Sequence, residues 1–299
     1  MILIPNILPP SRQTWVWATF LFQFFPVVTV IQWFVDYYPA GKTSVHSRWN
    51  LPGKLAWATM EVPGFLTLLY CLRTLPPLLN ITELPIENRI MASMFVIHYI
   101  YRALLAPFLN PSMSPIHLLI WASAVAFQLA NGLVIGGYLA GYGPTTSAAW
   151  LATVSPSWLR IRMFFGFLLW LLGFSGNIIH DEILRNIRRS ARYKKGQSIA
   201  YRKIKQRTSR HPSAKVSKVY ELPQKGLFSW ILFPHYFCEW VEWAGWWLMG
   251  GTMFVPGRIF LFNEIATMTP RAIQGREWYI KKFGQQRLQG VKAIIPGIL

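Results

Sequence analysis

Glu61 stands inside "KLAWATMEVPGFLTLLYCL", Lys54 to Leu72, a run that is otherwise lipid-like. Taking a carboxylate out of water costs several kcal/mol unless something offsets it. More polar groups interrupt apolar stretches downstream: His98, Tyr99 and Arg102, then Asn177, His180, Asp181 and Arg185, then His235, Glu239 and Glu242, and last Arg271, Arg276 and Tyr279. Within a membrane such residues usually face a bundle interior or a water-filled cavity. Their spacing puts them on shared helix faces. Tyr99 and Arg102 are three apart, Glu239 and Glu242 likewise, and Asn177, Asp181, Arg185 and Arg188 form one stripe toward a basic segment. Arginine offers forked donors to phosphate, and Asn and Asp can hold a ribose or an amide. The set suits a phosphate-bearing anionic ligand held between helices, in a membrane enzyme or a transporter. Plainer roles are open too: Arg185 and Arg188 could snorkel to the interface, and Glu242 could be an interfacial carboxylate near a helix end. Metal hydrolysis is disfavoured, because the six histidines show no H-E-x-x-H or comparable spacing, so no metal is expected. There is no G-x-S-x-G elbow or P-loop, and "GFSGN", Gly173 to Asn177, is not a dinucleotide fingerprint.

The elements that must position these groups are membrane helices. Of 299 residues 53% are hydrophobic and 14% charged, with mean hydropathy +0.30. A soluble domain carries roughly a quarter charged residues. Apolar runs of about twenty residues, the length a bilayer core requires, fall at 14–34, 53–74, 90–109, 115–140, 158–184, 227–249 and 252–273. The expected fold is an all-α membrane protein, a bundle of seven transmembrane helices. Residues 1–52 are expected to form the first helix and a connection, and 53–299 a region of six further helices. The opening "MILIPNILPPSRQTWVW" lacks a basic n-region and a small-residue cleavage site, so a first membrane helix is expected there rather than a signal peptide. Cys71 and Cys238 lie too far apart in sequence to suggest a disulfide framework or a zinc site.

Charge sets the orientation. The net charge is +19, and residues 185–219 hold thirteen Lys or Arg with no Asp or Glu. A basic loop between spans belongs on the cytosolic face and can contact lipid headgroups. No recognition module accompanies it, so no nucleic-acid partner is expected. Counting helices outward puts the uncharged loop 141–156 on the far side. The C-terminal segment, with Arg276, Lys281, Lys282, Arg287 and Lys292, returns to the cytosol, and the N-terminus is lumenal. Asn80 opens a glycosylation sequon on the lumenal side.

The blocks "WATMEVPGFL", "FVIHYIYRALLAPFLNP", "GNIIHDEILRNIRR", "YELPQKGLFSWILFPHYFCEWVEW" and "EWYIKKF…VKAIIPGIL" together resemble the steroid 5α-reductase family over Lys54 to Leu299. The resemblance implies a seven-helix reductase of the endoplasmic reticulum that uses NADPH on the C4–C5 double bond of a 3-oxo-Δ4-steroid. It implies that Glu61 and Tyr99 hold the 3-oxo group. It also implies that Asn110, Asn177, Asp181, Arg188, Tyr220, Glu239, Arg271 and Tyr279 line the NADPH pocket, with Arg102 beside it and His235 where some members have asparagine. Met113, Gly275 and Arg276 depart from the pattern, the last two replacing histidines before "E-W-Y". Related reductases act on enoyl thioesters or polyprenol-type lipids, which keeps those substrates open. A sterol-binding protein without catalysis is the reading from another class.

Overall fold

The structure is a computed structural model describing residues 2–35, 47–152, 154–206 and 221–299, with 191–206 as backbone. It is mostly helical. This follows from the composition, because a chain in hydrocarbon must satisfy its own backbone polar groups.

The first expected span is built in three pieces: α1 (Arg12–Phe22), α2 (Phe25–Thr29) and α3 (Ile31–Phe34). Ser11 caps α1 by accepting from the Thr14 amide at 3.2 Å. Pro26 supplies no amide hydrogen, which is why the helix restarts there. Next come α4 (Gly53–Leu78) and α5 (Ile86–Tyr99), which continues through a π-helical stretch, Ile100–Leu105, into α6 (Ala106–Leu109). Pro107 lies just beyond the π-helical stretch and lacks a donor for the ladder. Two short strands, β1 (Asn50–Leu51) and β2 (Ile116–His117), pair antiparallel and join the entry of α4 to that of α7 (Leu118–Gly137). After the single turn α8 (Ser147–Trp150) come α9 (Pro156–Gln206), α10 (Pro234–Gly250) and α11 (Val255–Phe283).

Two close helix crossings organise the bundle. A Cβ at Gly132 of α7 would lie 2.2 Å from the Gly64 carbonyl oxygen of α4. A Cβ at Gly173 of α9 would lie 2.3 Å from the Glu242 nitrogen of α10. Small residues let membrane helices approach in this way. The α9/α10 contact is antiparallel, with Arg162 beside Gly251 at one end and the His180 ring accepting from the Leu227 amide at the other. Phe95, Trp243, Trp246, Phe254 and Phe260 fill the centre. The C-terminal tail closes one end, where the Leu232 and Phe233 amides donate to the Lys292 and Ala293 carbonyls.

Several expected boundaries change. Among the described residues, five stretches are long and apolar enough to cross a membrane: Arg12–Phe34, Gly53–Leu78, Ile86–Leu109, Leu118–Tyr142 and Pro156–Ser190. The sixth expected span, 227–249, opens with a 3-10 turn, Gly226–Ser229, and begins as an α-helix only at Pro234, because 230–233 is engaged with the tail. The seventh, 252–273, runs on to Phe283. The basic segment 185–219 is not a loop from its start, since α9 continues to Gln206; residues 207–219 lie outside the described residues.

Candidate active site

Glu61 on α4 does not point into empty apolar space. Gln128 of α7 donates from its amide nitrogen to Glu61 Oε2 at 2.5 Å and to the Tyr99 hydroxyl oxygen at 3.1 Å. Tyr99 is 2% exposed and Gln128 4%. The acid and phenol expected to act together are thus held by one side chain from a third helix. One turn along α7, Asn131 is fully buried, and neither of its side-chain polar atoms finds a hydrogen-bond partner among the described residues.

Beyond Tyr99 the π-helical stretch turns Arg102 toward a different group. Its guanidinium lies 3.9 Å from Asp181 and 3.7 Å from Glu239, close enough for charge pairing but beyond hydrogen-bond length. It also stacks 5.0 Å over the Trp57 ring, whose N–H donates to the Arg102 carbonyl. Asn177 donates to Glu239 and to the His235 carbonyl, both at 3.0 Å. Arg102, Asn177, Asp181, Glu239 and the His235 backbone therefore converge from the π-helical stretch, α9 and α10.

His98 joins the two groups. Its ring nitrogens lie 2.7 Å from Glu242 and 3.7 Å from Glu239, with all three side chains buried. Glu242, 0% exposed, is therefore no interfacial carboxylate. Arg185 is 2% exposed and does not snorkel: it donates to Tyr101 at 2.5 Å and to Glu182 at 2.9 Å. Arg188 does reach outward, donating to Asn110 at 3.0 Å.

Arg271 of α11 lies 6.0 Å over the Tyr236 ring. Tyr279 is buried against Phe233 and Phe283. Tyr220 lies outside the described residues. The departures have structural roles: Gly275 packs where a Cβ would lie 2.1 Å from the Phe233 ring, and Arg276 donates to the Val291 carbonyl of the tail at 3.2 Å.

Gln128, Trp57, Tyr101 and Glu264 were missed by sequence reasoning. Glu264 of α11 lies within electrostatic reach of Glu61, Tyr99 and Glu239, with Arg102 and Arg271 opposing its charge. The signal for Gln128 was present: a carboxamide inside "LLIWASAVAFQLANGLVIGG" raises the same cost question as Glu61. Among the described residues no group of three or more His, Cys, Asp or Glu is placed to hold a metal ion.

Helices long and apolar enough to cross a membrane, with an acid–phenol pair and a bank of arginine, asparagine and carboxylate groups between them, define an integral-membrane protein with a polar site inside its bundle. The profile of the family 3-oxo-5-alpha-steroid 4-dehydrogenase matches residues 114–204 and 200–299, and the chain belongs to that family. It is 35% identical over 271 residues to an uncharacterised protein of Schizosaccharomyces pombe, covering 87% of this chain and 89% of the relative. It is 30% identical over 258 residues to 3-oxo-5-alpha-steroid 4-dehydrogenase 1 of Mus musculus, covering 85% of each. The Rattus norvegicus protein of the same name is 31% identical over 252 residues, covering 84% and 82%. Membership makes the chain an oxidoreductase acting on CH–CH groups.

Proposed function

We propose that this protein is a membrane-embedded, NADPH-dependent reductase of the C4–C5 double bond of 3-oxo-Δ4-steroids. The observation that carries this reading is the Glu61–Gln128–Tyr99 cluster, next to the charged group around Arg102. Reduction of an enone pushes negative charge onto its carbonyl oxygen, so the site needs donors aimed at that oxygen in dry surroundings. Tyr99 donates its phenolic hydrogen. Glu61 donates in its neutral acid form, the one that carries a hydrogen. The α-carbon then takes a proton from solvent or from a nearby acid.

The donor set fits a dinucleotide phosphate. Arg102, Arg188 and Arg271 supply forked cationic donors, Asn110, Asn177 and Tyr279 supply neutral ones, and Asp181 and Glu239 can accept from a ribose or an amide. Together with His235 and Tyr220 they are the residues that would hold NADPH, which supplies the hydride when bound. The antiparallel contact of α10 with the spanning part of α9 supports α10 as a sixth span; the proposal also takes α11 as a seventh span, with a cytosolic C-terminus by the distribution of basic residues and residence in the endoplasmic reticulum by the family resemblance.

The test is product analysis by mass spectrometry, after membranes containing the protein are incubated with NADPH and a panel of enones. A 5α-reduced steroid is the expected product. Reduction of an enoyl thioester or a polyprenal instead would keep the enzyme class and replace the substrate. No product together with no NADPH-dependent thermal stabilisation would favour a sterol-binding protein.

A further inference from the structure

Gln128 enters the Glu61–Tyr99 pair from α7, and the function proposed above gives it no role. A carboxamide nitrogen carries two hydrogens and no acceptor, and here one hydrogen is directed at each oxygen, over 2.5 Å to Glu61 and 3.1 Å to Tyr99. That arrangement decides where the remaining protons lie. The oxygen of a neutral carboxyl that accepts from an N–H is its carbonyl oxygen, so the acid hydrogen belongs on Glu61 Oε1. Tyr99, its oxygen filled by Gln128, keeps its own hydrogen for a third group. The Gln128 oxygen is turned the other way. It sits over Gly64, where a Cβ would come within 2.2 Å of it, and it has no hydrogen-bond partner among the described residues.

We propose that Gln128 is a positioning residue that sets specificity: by donating to both Glu61 and Tyr99 it occupies an acceptor site on each and turns their own hydrogens toward the ligand, so the site favours a carbonyl oxygen over a hydroxyl. This rests on the enone-reductase function above and deepens it. A ketone oxygen accepts two hydrogen bonds and offers none, so it satisfies both donors. A hydroxyl in the same place brings a hydrogen that must compete with Gln128 for the oxygens of the pair, which costs affinity. Replacing Gln128 by methionine keeps the length and returns a lone pair to each oxygen, giving a hydroxyl somewhere to donate.

The test uses the full chain in lipid nanodiscs saturated with NADP+, which binds without turnover. Affinities are measured for progesterone and for its 3-hydroxy-Δ4 counterpart. The native protein should prefer the ketone by about tenfold or more, the ratio that one unmet buried hydrogen bond produces. In Gln128→Met that ratio should fall to within about threefold, while NADPH-dependent thermal stabilisation is retained. Gly64→Ala keeps the glutamine but displaces its carboxamide, and should lower the ratio too. If Gln128→Met is not stabilised by NADPH, Gly64→Ala decides. A variant that is stabilised yet keeps the native ratio overturns the proposal, as does a native protein with no preference for carbonyl over hydroxyl. If the native protein binds neither steroid, the steroid assignment fails separately. The same ratio is then read on whichever enone is reduced and its allylic alcohol: a fall in the variants supports the role of Gln128, and an unchanged ratio overturns it.

Discussion

Glu61, His98 and Glu242 show how buried polar groups in this chain divide between chemistry and structure. Among the described residues Glu61 has a donor on only one oxygen, in keeping with a role for the other. Glu61→Ala should lower kcat by about 10²–10³, the loss typical of one oxyanion donor. Glu61→Gln retains an N–H and should fall between that variant and the native enzyme; native turnover in both, at saturating NADPH, would count against the donor role. His98 and Glu242, by contrast, bind each other at 2.7 Å in full burial. His98→Ala leaves a buried carboxyl without its hydrogen-bond partner and should cost about 1–3 kcal/mol in thermal or denaturant unfolding. The exposed pair Arg89–Glu83, at 2.9 Å, provides the contrast. Arg89→Ala should cost about 0–1 kcal/mol, because solvent screens that pair.

At the scale of elements, the site depends on two places where helices touch backbone to backbone. A Cβ at Gly173 would lie 2.3 Å from the Glu242 nitrogen and 2.5 Å from the Cys238 carbonyl oxygen, neither of which can swing aside. At Gly176, one turn nearer Asn177, the nearest atom is the Cys238 sulfur at 2.7 Å, a side-chain tip that can move. Gly173→Ala should therefore cost about 1–3 kcal/mol, as overpacking does, and weaken NADPH-dependent stabilisation by pulling Asn177 from Glu239. Gly176→Ala should be milder on both counts; equal thermal shifts for the pair would contradict this account of the crossing. The π-helical stretch after Tyr99 has a comparable role. It aims Tyr99 at α7 and Arg102 at α9 and α10, although three residues separate them.

For the whole molecule, the α10–α11 turn lies at the same end as the 141–156 segment, since the Phe254 ring packs with its centre 5.0 Å from that of Tyr138, just before that segment. With both native cysteines buried, single cysteines report sidedness cleanly. In sealed microsomes, Thr252→Cys and Ser147→Cys, both at exposed positions, should react with an impermeant maleimide only after permeabilisation. A cysteine at Ser213, in the basic segment, should react from the cytosolic side directly. Immediate labelling of Thr252→Cys would show that α10 does not cross, and the count of seven spans would fail.

The sequence by itself determined that the chain is a helical membrane protein with charged groups kept for a purpose. Length of apolar runs and the cost of burying charge are local properties, readable wherever Glu61 or Asp181 interrupts a run. The stripe Asn177–Asp181–Arg188 was legible for the same reason, since helical spacing is fixed by the backbone. What lay between helices was not. Only the tertiary structure gave Glu242 to His98 rather than to the interface, made Arg185 a buried donor to Tyr101, and carried helix α9 to Gln206 through what reads as a loop. Only it brought Gln128 from a separate span onto Glu61 and Tyr99. The physical reason is that a polar residue's role depends on which partner the crossing glycines bring within 3 Å, and that distance exists only once the helices have packed.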